Sequence, residues 1–67
     1  MINRNLLLSK AVALDIKMPD LAERIGVNPS TLSQKMNGKR EFTVAEVNAV
    51  RNVLRLTQQE LIDIFFN

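Results

Sequence analysis

An all-α domain of five short helices is the fold class this sequence predicts. Three observations predict it. Two capping boxes, "TVAE" and "TQQE", each precede apolar residues at helical spacing. Pro19, Pro29 and the pair Asn37-Gly38 punctuate the middle of the chain at intervals that suit short helices. No segment sustains period-2 alternation, so no sheet is expected. With 67 residues the chain is one domain at most, spanning 1–67, and a domain of this size buries only about 60% of the surface its unfolded form exposes.

The first helix is expected over roughly Arg4 to Leu14, with Asp15-Ile16-Lys17 turning the chain. Its leucine cluster is too short for a secretory signal followed by a cleavage site, and no run approaches a membrane span. Pro19 suits the first turn of a second helix near 18–25. Gly26-Val27-Asn28 separates it from a third helix over 29–37, for which Asn28 is the N-cap, Pro29 the first-turn residue and Asn37-Gly38 the stop. Thr43 with Glu46 starts the fourth helix, which carries Val44, Val47, Val50 and Leu54. Thr57 with Glu60 starts the fifth, which carries Leu61, Ile62, Ile64, Phe65 and Phe66.

Periodicity assigns Leu21, Ala22, Ile25, Val27, Leu32, Met36, Val47, Val50, Leu54, Leu61 and Phe65 to the core, with Phe42 closing it under the following helix. Helix 1 is apolar nearly all the way round. Leu7, Ala11 and Leu14 form one stripe towards the core, leaving Leu8 and Val12 on another face. Helix 5 has a similar surplus in Ile62 and Phe66, beside a Leu61/Phe65 stripe. Surplus apolar surface on so small a domain points to a partner surface, so a dimer contact is expected at Ile62 and Phe66.

Composition excludes several functions. The chain contains neither cysteine nor histidine, which removes disulfides, thiolate metal sites, the usual zinc ligands and the commonest general base. No carboxylate pair or Gly-rich phosphate loop is placed for chemistry, so the expectation is no enzyme, no metal, no cofactor and no small-molecule ligand. Nine Lys and Arg against seven Asp and Glu give a net charge of only +2, but the distribution is uneven. Between Arg24 and Arg40 there is no acid, while Lys35, Lys39 and Arg40 cluster at the end of that stretch.

On a helical wheel, Leu32 and Met36 fall on one side of the third helix. Ser30, Thr31, Gln34 and Asn37 lie opposite, with Ser33 and Lys35 on the flanks. Ser, Thr and Asn are poorer helix formers than the Glu, Lys and Arg of an ordinary solvated face. Short hydroxyl and amide groups do suit base edges in a DNA major groove, since they donate, accept and allow close approach. Lys35, Lys39 and Arg40 would then hold phosphates, which fixes position and supplies salt-sensitive affinity.

The stretch "MPDLAERIGVNPSTLSQKMNGKREF" resembles the helix-turn-helix of phage Cro and repressor proteins, the lambda-repressor-like DNA-binding domain. Ala22 stands where the two helices touch, Gly26 in the turn, and Ile25, Val27 and Leu32 at the apolar positions, with Asn37-Gly38 closing the recognition helix. The tail "LTQQELIDIFF" is similar to the end of small helical regulators of this group from phages of Gram-positive hosts. The resemblance implies a helix-turn-helix over about 18–37 with its third helix in the major groove, working as a homodimer on palindromic operator DNA in the bacterial cytoplasm. By position it places Pro29, Ser30, Ser33 and Gln34 at base edges, and Asn28, Thr31, Lys35, Asn37, Lys39 and Arg40 at phosphates. One position departs from the pattern. The family typically opens its second helix with Gln, whose amide braces a backbone contact, whereas this chain has Met18 followed by Pro19. A thioether cannot donate, so that clamp is not carried over.

The alternative of another class is a protein-interaction module of the same fold that binds an antirepressor-like or antitoxin-like partner. A protein interface would favour aromatic and aliphatic anchors, where the third helix offers short polar groups.

Overall fold

Local capping chemistry starts four of the helices in the computed structural model, which describes residues 2–66. Among these residues there are five helices and no strand: α1 (Arg4–Ala13), α2 (Met18–Ile25), α3 (Pro29–Met36), α4 (Val44–Leu54) and α5 (Gln58–Phe65). Asn3 Oδ1 accepts from the Leu6 N–H at 3.1 Å, and Asn28 Oδ1 accepts from the Thr31 N–H at 2.8 Å. Both predicted capping boxes form. Thr43 and Glu46 exchange hydrogen bonds at the start of α4, as do Thr57 and Glu60 at the start of α5. Helix α2 lacks a side-chain cap and relies on Pro19 and the acid Asp20 in its first turn.

Four helices end in one and the same way. A residue in the left-handed conformation follows each of them: Asp15 (φ 56°), Gly26 (φ 84°), Gly38 (φ 79°) and Arg55 (φ 54°). The next residue's N–H then reaches back five positions, from Ile16 to Ala11, Val27 to Ala22, Lys39 to Gln34 and Leu56 to Arg51, at 2.9–3.0 Å. This is the Schellman arrangement, which satisfies carbonyls that a helix end leaves free. No atom lies within 4 Å of a Cβ built on Gly26, so its positive φ rather than any lack of space favours glycine there.

The core draws one large, fully buried side chain from each helix: Leu7, Leu21, Leu32, Val50 and Ile64. Ala11, Ala22, Ile25, Met36 and Leu54 complete the helical part of the same cluster. Helix α2 packs against both α3 and α4, while α1 packs against α5. The Asn3 N–H donates to the Ile64 carbonyl at 2.7 Å, and Lys10 pairs with Glu60, so two polar contacts reinforce the α1–α5 seam. The radius of gyration, 10.5 Å, is close to the ~11 Å expected of a folded chain this long. Among the described residues no helix is long and apolar enough to cross a membrane.

Several sequence expectations shift. Ile64 is the buried centre of α5, with Leu61 and Phe65 only half-buried on either side of it. Leu14 stays 40% exposed because α1 ends at Ala13 and the chain turns away there. Leu8 packs against the core, so of the surplus on α1 it is Val12, 75% exposed, that faces solvent. Val44, the first residue of α4, is 80% exposed. Ile16 and Leu56, outside the helices, are buried through their place in the helix-end motif. Phe42 closes the core as expected, edge-on to Phe65 with ring centroids 5.2 Å apart.

Ile64→Ala should therefore cost about 2–5 kcal/mol of unfolding free energy in urea titrations, by lost burial and cavity formation. Val44→Ala should stay within about 0.5 kcal/mol of the parent.

Candidate nucleic-acid interface

Gly26 turns the chain between α2 and α3, and Leu32 and Met36 hold α3 down on the core. The opposite face is thereby left to Pro29, Ser30, Ser33 and Gln34, all of them exposed. Side chains here are short and uncharged, so a flat partner could approach the α3 backbone closely. Ser30 Oγ donates to Asn28 Oδ1 at 2.9 Å, the same oxygen that caps α3. Asn28 is exposed, but its oxygen is committed to the helix, which leaves its amide NH2 for an external acceptor. Thr31 is half-buried. Asn37 is exposed and ends α3, its N–H donating to the Ser33 carbonyl at 3.0 Å.

Beyond Asn37 the two exposed cations Lys39 and Arg40 are tied back to the helix. Both of their N–H groups donate to the Gln34 carbonyl, at 2.9 and 3.3 Å. One residue thus exposes its side chain on the polar face and carries the cationic segment on its backbone. Neither Lys39 nor Arg40 forms an ion pair with another described residue. Arg24 differs, since its guanidinium donates to Asp20 at 3.2 Å one turn back. The helix ends sharpen the contrast. After α1, α2 and α4 the residue in the reach-back position is apolar and at least half-buried (Ile16, Val27, Leu56); after α3 it is Lys39, exposed.

Lys35 corrects the sequence reading. The sequence pattern places it at a phosphate, yet it is 6% exposed. Its ammonium donates to the Glu46 carboxylate at 2.5 Å and to the Glu41 carbonyl at 3.2 Å, and it lies 6.0 Å from the centre of the Phe42 ring. A flexible four-carbon stem allows a flanking position to bury its head when an acid waits there. Lys35 is thus a structural residue of α3 and has no place at a phosphate. Sequence reasoning also missed Glu46 as its partner. Lys35 sits about 80° from the centre of the Leu32/Met36 stripe, which is ambiguous on a wheel, and Glu46 already had a local role in its capping box.

Met18, which stands where the family pattern has Gln, is half-buried and packs against the core. Ile62 and Phe66, expected at a dimer contact, are 39% and 66% exposed. Beside Phe66 lies an open groove of about 420 Å³, lined by Lys35, Arg40, Phe42, Val47 and Phe65 among others. No family model, curated protein or solved structure matches the chain.

The Lys35 ammonium, and after it the Thr43 N–H, hold the Glu46 carboxyl below its ordinary value of 4.5. Lys10 and then the Thr57 N–H do the same for Glu60. A carboxylate whose folded-state pKa is depressed stabilises the fold fully above its unfolded-state value, and that contribution is lost as pH falls through the depressed one. Thermal unfolding followed by circular dichroism should thus show stability falling below about pH 4.5. Glu46→Gln and Glu60→Gln should each be less stable than the parent at pH 7 and lose less of their stability on acidification.

Proposed function

We propose that this chain is a sequence-specific regulator that binds double-stranded operator DNA, with α3 lying in the major groove. Ser30, Ser33 and Gln34 read base edges there and Pro29 makes apolar contact. Lys39 and Arg40, with Asn37, Asn28 and Thr31, engage phosphates. The observation that carries this reading is Gln34. Its side chain lies on the exposed polar face while its carbonyl accepts from the Lys39 and Arg40 N–H groups, so reading face and cations form one unit.

The mechanism is occupancy: bound at its operator in the cytoplasm of a bacterial host, the protein blocks polymerase or competes with another regulator. No step requires a cofactor or catalysis. In the same reading two copies bind the two halves of a palindrome and meet through Ile62 and Phe66. What supports a second copy is the 66% exposure of Phe66 beside an open groove with aromatic walls.

Selection from random duplexes should yield a palindromic site. A dimer touching about 6–10 phosphates should lose roughly 10³–10⁵ in affinity between 50 and 200 mM salt. Gln34→Ala should cost about 1–3 kcal/mol at one base position and relax selectivity there. Lys39→Ala should weaken all sequences alike and lower the salt slope by about 1 per protomer. Flat salt dependence, or no preference among sequences, would overturn the reading.

A further inference from the structure

The segment 37–43 joins α3 to α4 and carries both free cations of the proposed interface. Gln34 fixes its first half by accepting from the Lys39 and Arg40 N–H groups. Its second half is fixed differently. Lys35 Nζ donates to the Glu41 carbonyl, and Glu46 Oε1 accepts from both Lys35 Nζ and the Thr43 N–H. One carboxylate oxygen therefore joins the last turn of α3 to the first residue before α4, with Glu41 and Phe42 held between them.

We propose that the Lys35–Glu46 pair is a positioning element, holding the Lys39–Arg40 backbone in register with the reading face of α3. This rests on the DNA-binding reading above. Phosphates recur at fixed spacing along a strand, so long cationic side chains contact them at lower entropic cost when their backbone is already placed. Helix packing alone does not fix this segment. Gly38 has a positive φ and Lys39, Arg40 and Glu41 are exposed, so no buried side chain anchors it between Met36 and Phe42. The pair supplies what an apolar plug supplies at the other helix ends. It does so from beneath, leaving the Lys39 side chain free.

Three variants test the assignment: Lys35→Met, Glu46→Gln and the double substitution. Each is compared with the parent at a temperature where circular dichroism shows equal helix content. Two readouts apply. Amide hydrogen exchange reports the Lys39 and Arg40 N–H groups against core amides such as those of Leu32 and Val50. Titrations on a selected duplex report the salt slope. In each variant, exchange at Lys39 and Arg40 should rise about tenfold relative to the core amides, the ratio expected for about 1.4 kcal/mol of lost local order. The salt slope should fall by up to about 1.8 per protomer, equivalent to two phosphates. The double variant should be no worse than the single ones, because the two side chains act as one unit.

Glu60→Gln is the control. It breaks the other pair bound to a capping glutamate and should leave both readouts unchanged. Unchanged exchange and slope in folded Lys35→Met and Glu46→Gln would overturn the proposal, as would losses that add in the double variant. If the parent selects no duplex, the DNA reading fails by itself. The exchange ratio, which needs no DNA, then decides the positioning role.

Discussion

Two glutamates, each the third residue of its helix and the last of a capping box, hold this small fold together in two directions at once. Glu46 closes the first turn of α4 through the Thr43 N–H and also accepts the buried ammonium of Lys35 from α3. Glu60 closes the first turn of α5 through the Thr57 N–H and pairs with Lys10 from α1. The same carboxylate that starts a helix thus also ties it to another helix. A chain with no disulfide and a small apolar core has few other specific contacts between its helices. Burying Lys35 costs desolvation, and a buried pair seldom adds net stability over an apolar replacement. Its use here is geometric: the ammonium satisfies Glu41 and Glu46 in a single arrangement that an apolar side chain would not specify.

From this constraint the rest of the architecture follows. With α3 joined to α4 at Lys35–Glu46, Phe42 lies edge-on to Phe65 and carries the contact on to α5. With α5 joined to α1 at Lys10–Glu60, the Asn3 N–H meets the Ile64 carbonyl and the first and last helices close on each other. Within that frame α2 packs against both α3 and α4. The polar face of α3 is outside because Leu32, Met36 and its one lysine are committed inward.

The helix-end motif explains which cations remain available. A Schellman end normally tucks an apolar residue against the helix it closes, and Ile16, Val27 and Leu56 do so. Lys39 occupies the equivalent position after α3 with the same backbone hydrogen bond and an exposed side chain. That end is held in another way, by Lys35 donating to the Glu41 carbonyl beside the Phe42 ring. The cation moved outward at position 39 and the cation drawn inward at position 35 are two sides of one substitution of roles.

How much of this was legible in sequence depends on how far apart the interacting residues lie. Capping boxes act across three positions, so Thr43 with Glu46 and Thr57 with Glu60 could be read directly, and the helix starts with them. The exposed face of α3 was legible because Leu32 and Met36 fix the helix's rotation by themselves. Two of the four left-handed ends carry glycine and could be seen. Asp15 and Arg55 could not, because tertiary packing of Ile16 and Leu56 imposes the conformation where the residue's own preference opposes it. Helix α5 is apolar on too many sides for periodicity to find its centre, which is why Ile64 was passed over for Leu61 and Phe65. Lys35 is where sequence and structure part furthest. Its charge alone suggested an anionic partner outside, but eleven residues along, a glutamate with an evident local duty held a second valence for it. A capping-box glutamate followed by a close-packed helix is thus a place to look for a buried lysine before assigning that lysine to a ligand.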